Sequence, residues 1–306
     1  MITGANGFVG QHLVRELTNN HYSVLAIGGN APTANIDTRS GVISQTVDLT
    51  NVLAVESIDF STVSGVIHLA GLAAVGPSFD QPIKYITDNI GMEINLFEAV
   101  LKQGVRPKFL VVSSGSLYDS TASLPITEES PVRPSSPYAV SKIGQEQMAW
   151  YYTLRGFECI IARPFNHIGP GQGPGFIVPD IAEQIISVER NEASAIQVGN
   201  LDAKRDYTDV RDIARAYRLL LEKGTSGETY NICSGTARSG HEILEGLLLA
   251  SRTKVNTKQD PTKIRPSDTP IIYGDHQKIT KHTGWEPEIN LATTLSEVIA
   301  DWRSRK

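Results

Sequence analysis

The sequence is poor in features that mark several classes of protein. It contains only two cysteines among 306 residues, Cys159 and Cys233, and each stands in an apolar stretch. Two distant cysteines do not make a disulfide framework, so we expect both to be buried, reduced thiols of a cytoplasmic protein. No run of about 18 apolar residues occurs, so we expect no membrane span. The chain does not open with a basic segment followed by an apolar one, so no signal peptide is predicted.

An excess of positive charge is also missing. The 28 Lys and Arg residues face 33 Asp and Glu residues, which gives a formal net charge of -5. Without a strong positive field, the protein is not expected to bind nucleic acid or an anionic membrane. Basic residues with a role should therefore lie in local pockets. We predict no metal site.

Short apolar stretches alternate with helical patterns through the first two-thirds of the chain. The predicted strands are 23–27, 65–70, 109–114 and 159–163, and the predicted helices lie near 9–19, 90–103 and 138–155. This alternation is typical of right-handed crossovers between parallel strands. We therefore predict an α/β fold with a Rossmann-type, doubly wound parallel sheet. The first strand is unusual, because only Met1 and Ile2 precede Thr3; either it is very short or residues upstream are absent from this chain.

The pattern changes after residue 165, where Gly and Pro crowd the sequence 169–179. We predict a dinucleotide-binding domain over 1–165, rejoined by part of 202–233. A smaller substrate-binding α/β domain is predicted over 166–201 and 234–306. At 306 residues, of which 40% are hydrophobic, the chain is long enough to bury one large core or two fused ones.

Three glycines at steps of three open the chain in TGANGFVG. Gly4 permits a tight turn, Gly7 lets the backbone approach a pyrophosphate at a helix N-terminus, and Gly10 permits close packing of helix on strand. This spacing in a strand–turn–helix context predicts a dinucleotide site. The second predicted strand ends in Gly28, Gly29 and Asn30, without the carboxylate that usually binds the adenosine ribose of NAD. We therefore favour NADP(H), or tolerance of both NADP(H) and NAD(H).

The segment SPYAVSK places Tyr138 and Lys142 one helical turn apart, on one face of a helix. The charge of Lys142 is expected to lower the pKa of the Tyr138 phenol, and the ammonium can also hold the nicotinamide ribose. Tyr138 can then exchange a proton with an alcohol or carbonyl. Ser114, at the end of a predicted strand, would hydrogen-bond the same oxygen. We assign Ser114, Tyr138 and Lys142 as the catalytic residues, with Ser113 and Ser116 as second choices for the serine.

With this Ser–Tyr–Lys set, the chain resembles the extended short-chain dehydrogenase/reductase family, which includes nucleotide-sugar epimerases, dehydratases and reductases. HLAG at 68–71, Tyr85 with Asn89, and Tyr118 match further family positions, whereas Asp119 stands where the family usually has glycine. The resemblance implies a homodimer formed through the helices near 90–103 and 138–155. It also implies further cofactor contacts at Phe8, Val9, Asp48, Leu49, Leu69, Ala70, Gly71, Asn89, Pro164 and Phe165.

Basic residues near the C-terminal half suggest a site for a diphosphate. Arg205 and Arg265 come from distant segments and could form a bidentate clamp, although each alone could be a surface charge. His167 is interpreted as a packed loop residue. The resemblance extends to members that act on GDP sugars, and it implies that the nucleotide sugar is bound by Ser116, Asn166, Val198, Arg205, Arg265 and Asp268.

The residues after Ser114 discriminate between reactions of the family. Dehydratases carry a Glu there, because elimination needs an additional acid or base. Gly115 and Ser116 supply neither. The missing carboxylate therefore predicts hydride chemistry alone, in a 4-keto reductase or a 4-epimerase. The resemblance to members that act on GDP sugars implies reduction of the C4 keto group of a GDP-4-keto-6-deoxyhexose. A UDP-hexose 4-epimerase with tightly bound NAD and a non-catalytic protein that binds nucleotide sugar or NADP remain alternatives.

Overall fold

The computed structural model describes residues 1–29, 41–261 and 269–305. Its strands are β1 (Ile2–Thr3), β2 (Val24–Gly28), β3 (Val42–Thr46), β4 (Gly65–His68), β5 (Lys108–Val112), β6 (Cys159–Pro164), β7 (Asn166–Ile168), β8 (Ala195–Val198), β9 (Lys204–Asp209), β10 (Thr229–Ile232), β11 (Ala237–Ser239), β12 (Asn256–Gln259) and β13 (Ile271–Ile272). Its α-helices are α1 (Phe8–Asn19), α2 (Val52–Glu56), α3 (Val75–Asp80), α4 (Pro82–Lys102), α5 (Pro137–Leu154), α6 (Ile177–Glu189), α7 (Val210–Lys223), α8 (Gly240–Ser251), α9 (Gln277–Thr283) and α10 (Leu291–Ser304).

The large sheet confirms the predicted fold class. Its strand order is β10-β6-β5-β4-β1-β2-β3, and each neighbouring pair is parallel. The order reverses between β1 and β4, which is where ligands bind in open sheets of this kind. In that crevice Thr3 pairs with His68, and Thr3 Oγ1 lies 2.8 Å from His68 Nδ1. The glycine turn after β1 and the HLAG segment after β4 are therefore neighbours.

Apolar side chains cover both faces of this sheet. On one face α1 and α7 pack residues such as Leu13 and Tyr217, and on the other face α4 and α5 pack Phe97 and Tyr152. Cys159 and Cys233 are both buried free thiols, as predicted. Within the described residues, no helix has both the length and the apolar character needed to cross a membrane.

A separate core lies among α6, α8 and α10, with Ile185, Leu247 and Val298 among its fully buried members. Short strands frame it: β9 pairs with β7, β11 and β13, and β8 pairs with β12. β10, although late in the chain, adds to the large sheet beside β6. The predicted division into two domains, with its stated boundaries, stays a prediction.

Helix α4 differs most from its prediction. It begins at Pro82 rather than near residue 90, since proline at the first helical position has no amide hydrogen that needs a partner. α5 begins as predicted: the Ser136 side chain accepts a hydrogen bond from Ala139 N, and Pro137 follows as the first helical residue. This start places Tyr138 and Lys142 in the first two turns of α5.

Candidate active site

The glycine turn between β1 and α1 is shaped as a dinucleotide cradle. Gly4 has φ +67°, and a Cβ there would lie 2.9 Å from Ala70 N. A Cβ at Gly10 would lie 2.2 Å from Gly4 O, so helix and turn pack without room for a side chain. Gly7 caps α1, which continues with half-buried Phe8 and Val9. The exposed backbone of Gly7 therefore stands at a helix N-terminus, where a phosphate is favoured.

A cleft of about 140 Å³ lies beside this turn. Gly4, Gly28, Gly29, Asp48, Leu49 and Ala70 contribute to its lining. Asp48 is exposed, and hydrogen bonds from the hydroxyl and amide of Thr50 hold the pKa of its carboxyl below the usual range. Among the described residues, a Cβ at Gly29, directly after β2, would meet nothing within 4 Å. The residues present fit the adenosine half of a dinucleotide.

The predicted residues after β4 sit between this cleft and α5. Leu69 and Ala70 are partly buried, and a Cβ at Gly71 would lie 3.1 Å from Asn89 Oδ1 and 3.9 Å from Lys142 Nζ. Asn89 itself is fully buried. Its amide bonds to both Leu72 backbone groups and to Ser141 Oγ. Asn89 therefore supports the residues around it, and its contact with the cofactor stays a prediction.

The predicted catalytic residues come together at the ends of β5 and α5. The Ser114 side chain stands close enough to the Tyr138 phenol to lower the pKa of that phenol. Ser114 Oγ also lies 2.9 Å from the Ser116 hydroxyl and accepts from Ser116 N at 3.1 Å. Tyr138 is 8% exposed, so its phenol is held in a largely water-free position.

The electrostatics of Tyr138 differ from the prediction. We expected Lys142 to lower the pKa of the phenol, but burial raises it, and the nearby Ser114 side chain offsets only part of that effect. The reason is geometric. Lys142 Nζ lies 6.0 Å from the centroid of the Tyr138 ring and donates a hydrogen bond of 2.8 Å to Val112 O. Burial disfavours the phenolate more than this ammonium favours it.

Lys142 is itself perturbed. It is 6% exposed, and burial lowers the pKa of its ammonium to about 8. Glu93 and Glu146 act in the opposite direction and raise it. A lysine in this state is close to its titration point near neutral pH, as is common for groups that take part in proton chemistry.

The substrate-side segment follows β6 directly. Pro164 and Phe165 are buried, whereas Asn166 is exposed at the start of β7. His167 Nδ1 lies 3.0 Å from Phe165 O, and its ring stacks on Phe8 with centroids 6.2 Å apart. His167 therefore packs the substrate-side segment against the glycine turn, which agrees with its interpretation as a packed residue.

The predicted nucleotide clamp is described only in part. Arg205 lies on β9, where Nη1 donates to Lys204 O and, at 2.7 Å, to Thr269 O. Val198 is buried at the end of β8 within the core of α6, α8 and α10. Arg265 and Asp268 lie outside the described residues. Arg205 thus contacts Thr269, and Thr269 is the residue that follows Asp268 in the sequence.

Sequence reasoning missed a buried polar network beneath the catalytic groups. Arg163 makes a two-pronged bond to Glu146 of 2.7 and 2.8 Å and donates to Tyr118 OH, which in turn donates to Asn231 Oδ1. Glu93 is fully buried on α4 nearby. The one available sequence signal was a charged residue on the apolar face of a helix, as at Glu93 and Glu146.

Comparison with known proteins places this geometry in context. Residues 1–298 match the family model described as GDP-mannose 4,6 dehydratase. The chain is 34% identical to a GDP-6-deoxy-D-mannose reductase of Pseudomonas aeruginosa, over 99% of this chain and 97% of the relative. It is 30% identical to a UDP-glucose 4-epimerase of Bacillus subtilis, over 99% and 95%. It also superposes on the structure of RMD from Pseudomonas aeruginosa complexed with NADPH, with a TM-score of 0.87, 32% identity and coverage of 100% and 99%.

Proposed function

Because this chain belongs to the GDP-mannose 4,6-dehydratase-like family of extended short-chain dehydrogenases/reductases, we propose that it reduces the C4 keto group of GDP-4-dehydro-6-deoxy-D-mannose to give GDP-D-rhamnose. Relatives in this family are NAD(P)-dependent enzymes that act on nucleotide sugars, and this chain is such an enzyme. The choice of a GDP sugar, of reduction and of the rhamno product is our proposal.

The residues at the site suit reduction of a ketone. The nicotinamide cofactor, when bound, supplies the hydride. Tyr138 would donate its proton to the oxygen that becomes the C4 hydroxyl, and Ser114, which lies beside the phenol, would orient that oxygen by a hydrogen bond. The charge of Lys142 stabilises the Tyr138 phenolate after that step. The raised pKa of the phenol keeps it protonated at neutral pH, as a proton donor must be.

The observation that carries the choice of reduction is the packing of Gly115. A Cβ added at Gly115 would lie 2.9 Å from Phe165 Cδ2. No glutamate side chain fits there unless Phe165 moves. Ser116, the next residue, carries a hydroxyl that has no acid or base function near neutral pH. The segment after Ser114 therefore lacks the carboxyl that elimination of water would need.

A 4-epimerase is the second candidate, and the similarity to the Bacillus subtilis relative favours it. Epimerisation uses the same Ser–Tyr–Lys set, so these residues do not separate the two reactions. We further propose that Asn166 and Arg205 bind the diphosphate. α4 and α5 would pair with a second copy, since Trp150 and Leu154 on α5 are 56% and 68% exposed. A cytoplasmic location, inferred from the reduced cysteines, belongs to the same proposal.

The deciding experiment is to generate GDP-4-dehydro-6-deoxy-D-mannose with a separate dehydratase and to add this protein with NADPH or NADH. We expect oxidation of the cofactor and a GDP-6-deoxyhexose whose NMR spectrum shows the rhamno configuration. Unoxidised cofactor, together with interconversion of UDP-glucose and UDP-galactose, would replace the reductase by the epimerase.

A further inference from the structure

Glu93 occupies a defined place beneath the active site. α4 and α5 are in register through a hydrogen bond of 2.9 Å from Asn89 to Ser141. The two helices also approach closely at Ile90 of α4, where a Cβ at Gly144 of α5 would lie 2.3 Å from Ile90 Cδ1. Glu93 follows Asn89 by one helical turn on the same face. This spacing directs its carboxyl toward the α5 surface that carries Lys142 and Gln145.

The Glu93 carboxyl is unusual because its polar atoms are not paired. The residue is 0% exposed, and among the described residues neither oxygen has a hydrogen-bond partner of ordinary geometry. Gln145 is close enough to lower the pKa of Glu93, although its amide is also without such a partner. Burial outweighs that effect and raises the pKa of Glu93 well above its usual range. A buried carboxylate without compensation is strongly disfavoured, so Glu93 can be ionised only while a cation such as the Lys142 ammonium compensates it.

In the described part of the chain, Lys142 is the cation that can compensate Glu93. The guanidinium of Arg163 is already engaged by both oxygens of Glu146 and by Tyr118. Lys142 makes a hydrogen bond to Val112 O, and its charge favours ionised Glu93. The other titratable groups coupled to Glu93 or Lys142 are Glu146 on α5, His68 on β4 and Cys159 on β6. Tyr138 on α5 lies beside Lys142, and the half-buried Glu56 on α2 pairs with Lys102.

We propose that Glu93 is a positioning residue for Lys142, and that its carboxylate is the counter-charge that keeps the buried Lys142 ammonium protonated. The inference rests on the proposed function only in giving Lys142 a role in proton chemistry. Each group makes the charged form of the other less costly, so the two titrate as a pair. Removing the carboxyl leaves burial to act on Lys142 with Glu146 as the remaining favourable charge, and Glu146 is already neutralised by Arg163.

The test measures the ionisation of Lys142 directly, without any sugar substrate. Protein labelled with ¹³C at lysine Cε is titrated by NMR, and the Lys142 signal is assigned by its loss in Lys142→Met. We expect Glu93→Gln to lower the pKa of Lys142 by about one to two units. Glu93→Met, an apolar replacement of similar size, should do the same, and Glu93→Asp should restore part of the shift. NADPH binding followed across the same pH range should weaken at lower pH in the Gln and Met variants than in the unmodified protein.

The matched control is Glu98→Gln, which removes a carboxyl from the same helix. Glu98 pairs with Tyr152 and Arg155, and Tyr152 lies about 15 Å along α5 from Lys142. This variant should leave the Lys142 titration unchanged. An unchanged or raised Lys142 pKa in whichever of the Gln and Met variants folds would overturn the inference. Because the titration needs no turnover, failure of the proposed reductase reaction would leave this result intact, and the reverse also holds.

Discussion

Lys142 and Glu146 stand one turn apart on α5, both buried, yet their charges are compensated in opposite ways. Both carboxylate oxygens of Glu146 accept hydrogen bonds from Arg163. Arg163 also donates to Tyr118, which donates to Asn231. Lys142 has one hydrogen bond, to a backbone carbonyl, and faces a carboxyl whose oxygens are unpaired. We conclude that Glu146 and Arg163 hold a fixed charge that stabilises the fold. Lys142 and the Glu93 carboxyl, by contrast, can change protonation.

The largest effect should come from removing the proton donor beside Lys142. Tyr138→Phe is expected to lower turnover by about 100- to 10,000-fold, because a positioned general acid is lost, while NADPH affinity changes little. Steady-state kinetics and a binding titration measure the two quantities. Tyr152→Phe is the matched control on the same helix, since its phenol donates to Glu98 instead. Equal rates for Tyr138→Phe and the unmodified protein would remove Tyr138 from the mechanism.

Removing one partner of the buried Glu146–Arg163 pair should lower the free energy of unfolding. Arg163→Met leaves Glu146 buried without its partner and is expected to cost about 3–5 kcal/mol of unfolding free energy, measured by urea denaturation. The double variant Arg163→Met, Glu146→Leu should recover most of this loss, because no unpaired charge remains. If the single variant were as stable as the unmodified protein, the Glu146–Arg163 pair would not be a structural element.

Neither pair should set the affinity for the nucleotide. Arg205→Ala is expected to weaken GDP binding by about 1.5–3 kcal/mol, the usual loss for a charge-assisted contact, with little effect on NADPH binding. Lys204→Ala is the control, because adjacent strand residues point to opposite faces. Calorimetric titration with GDP gives both values, and equal affinities in the two variants would show that the clamp is misplaced.

The smallest expected effect is a pH dependence of kcat that Lys142 produces and Arg163 does not. Lys142 is charged below its pKa of about 8 and neutral above it, so activity that needs the ammonium is present at low pH and lost as the pH rises through that value. Between pH 7 and pH 8.5 we expect kcat with the 4-keto sugar to fall about fourfold. Arg163 adds nothing to this decline, because Glu146 raises the pKa of its guanidinium. A flat profile to pH 9.5 would contradict the assignment.

Several parts of the site could be predicted because their signals are local. The glycine turn and the Tyr138–Lys142 pair each lie within one short segment, where spacing alone fixes which groups share a face. Ser114 was chosen among the serines at the end of a predicted strand because the family pattern places the catalytic serine four residues before Tyr118. Predictions that depended on the balance between burial and charge were less successful. The pKa of Tyr138 was expected to fall and is raised, since the sequence does not show how deeply the phenol is buried.

The start of α4 shows another limit. The helix was expected near residue 90, and the preceding sequence 75–89 contains Gly76, Pro77 and Pro82, which are typical of loops. In the structure Pro77 lies inside the short α3 and Pro82 is the first residue of α4. Proline marks the first turn of a helix as readily as a loop. Tertiary packing decides between the two, here through Tyr85, which is buried and donates to Ala74 O.

The sequence by itself determined the alternation of strands and helices, the dinucleotide turn and the Ser–Tyr–Lys set, because periodicity and short spacings encode them. Only the tertiary structure decided which charges meet. Glu93 and Lys142 are 49 positions apart, and Arg163 and Glu146 belong to different elements. The Arg163–Glu146 ion pair follows from the packing of α5 on β6, and the proximity of Glu93 to Lys142 that we propose follows from the register of α4 on α5. Burial makes each uncompensated charge costly. This cost of burial distinguishes the two sets of charges. Glu146 and Arg163 stabilise the fold, whereas we propose that Glu93 keeps Lys142 protonated.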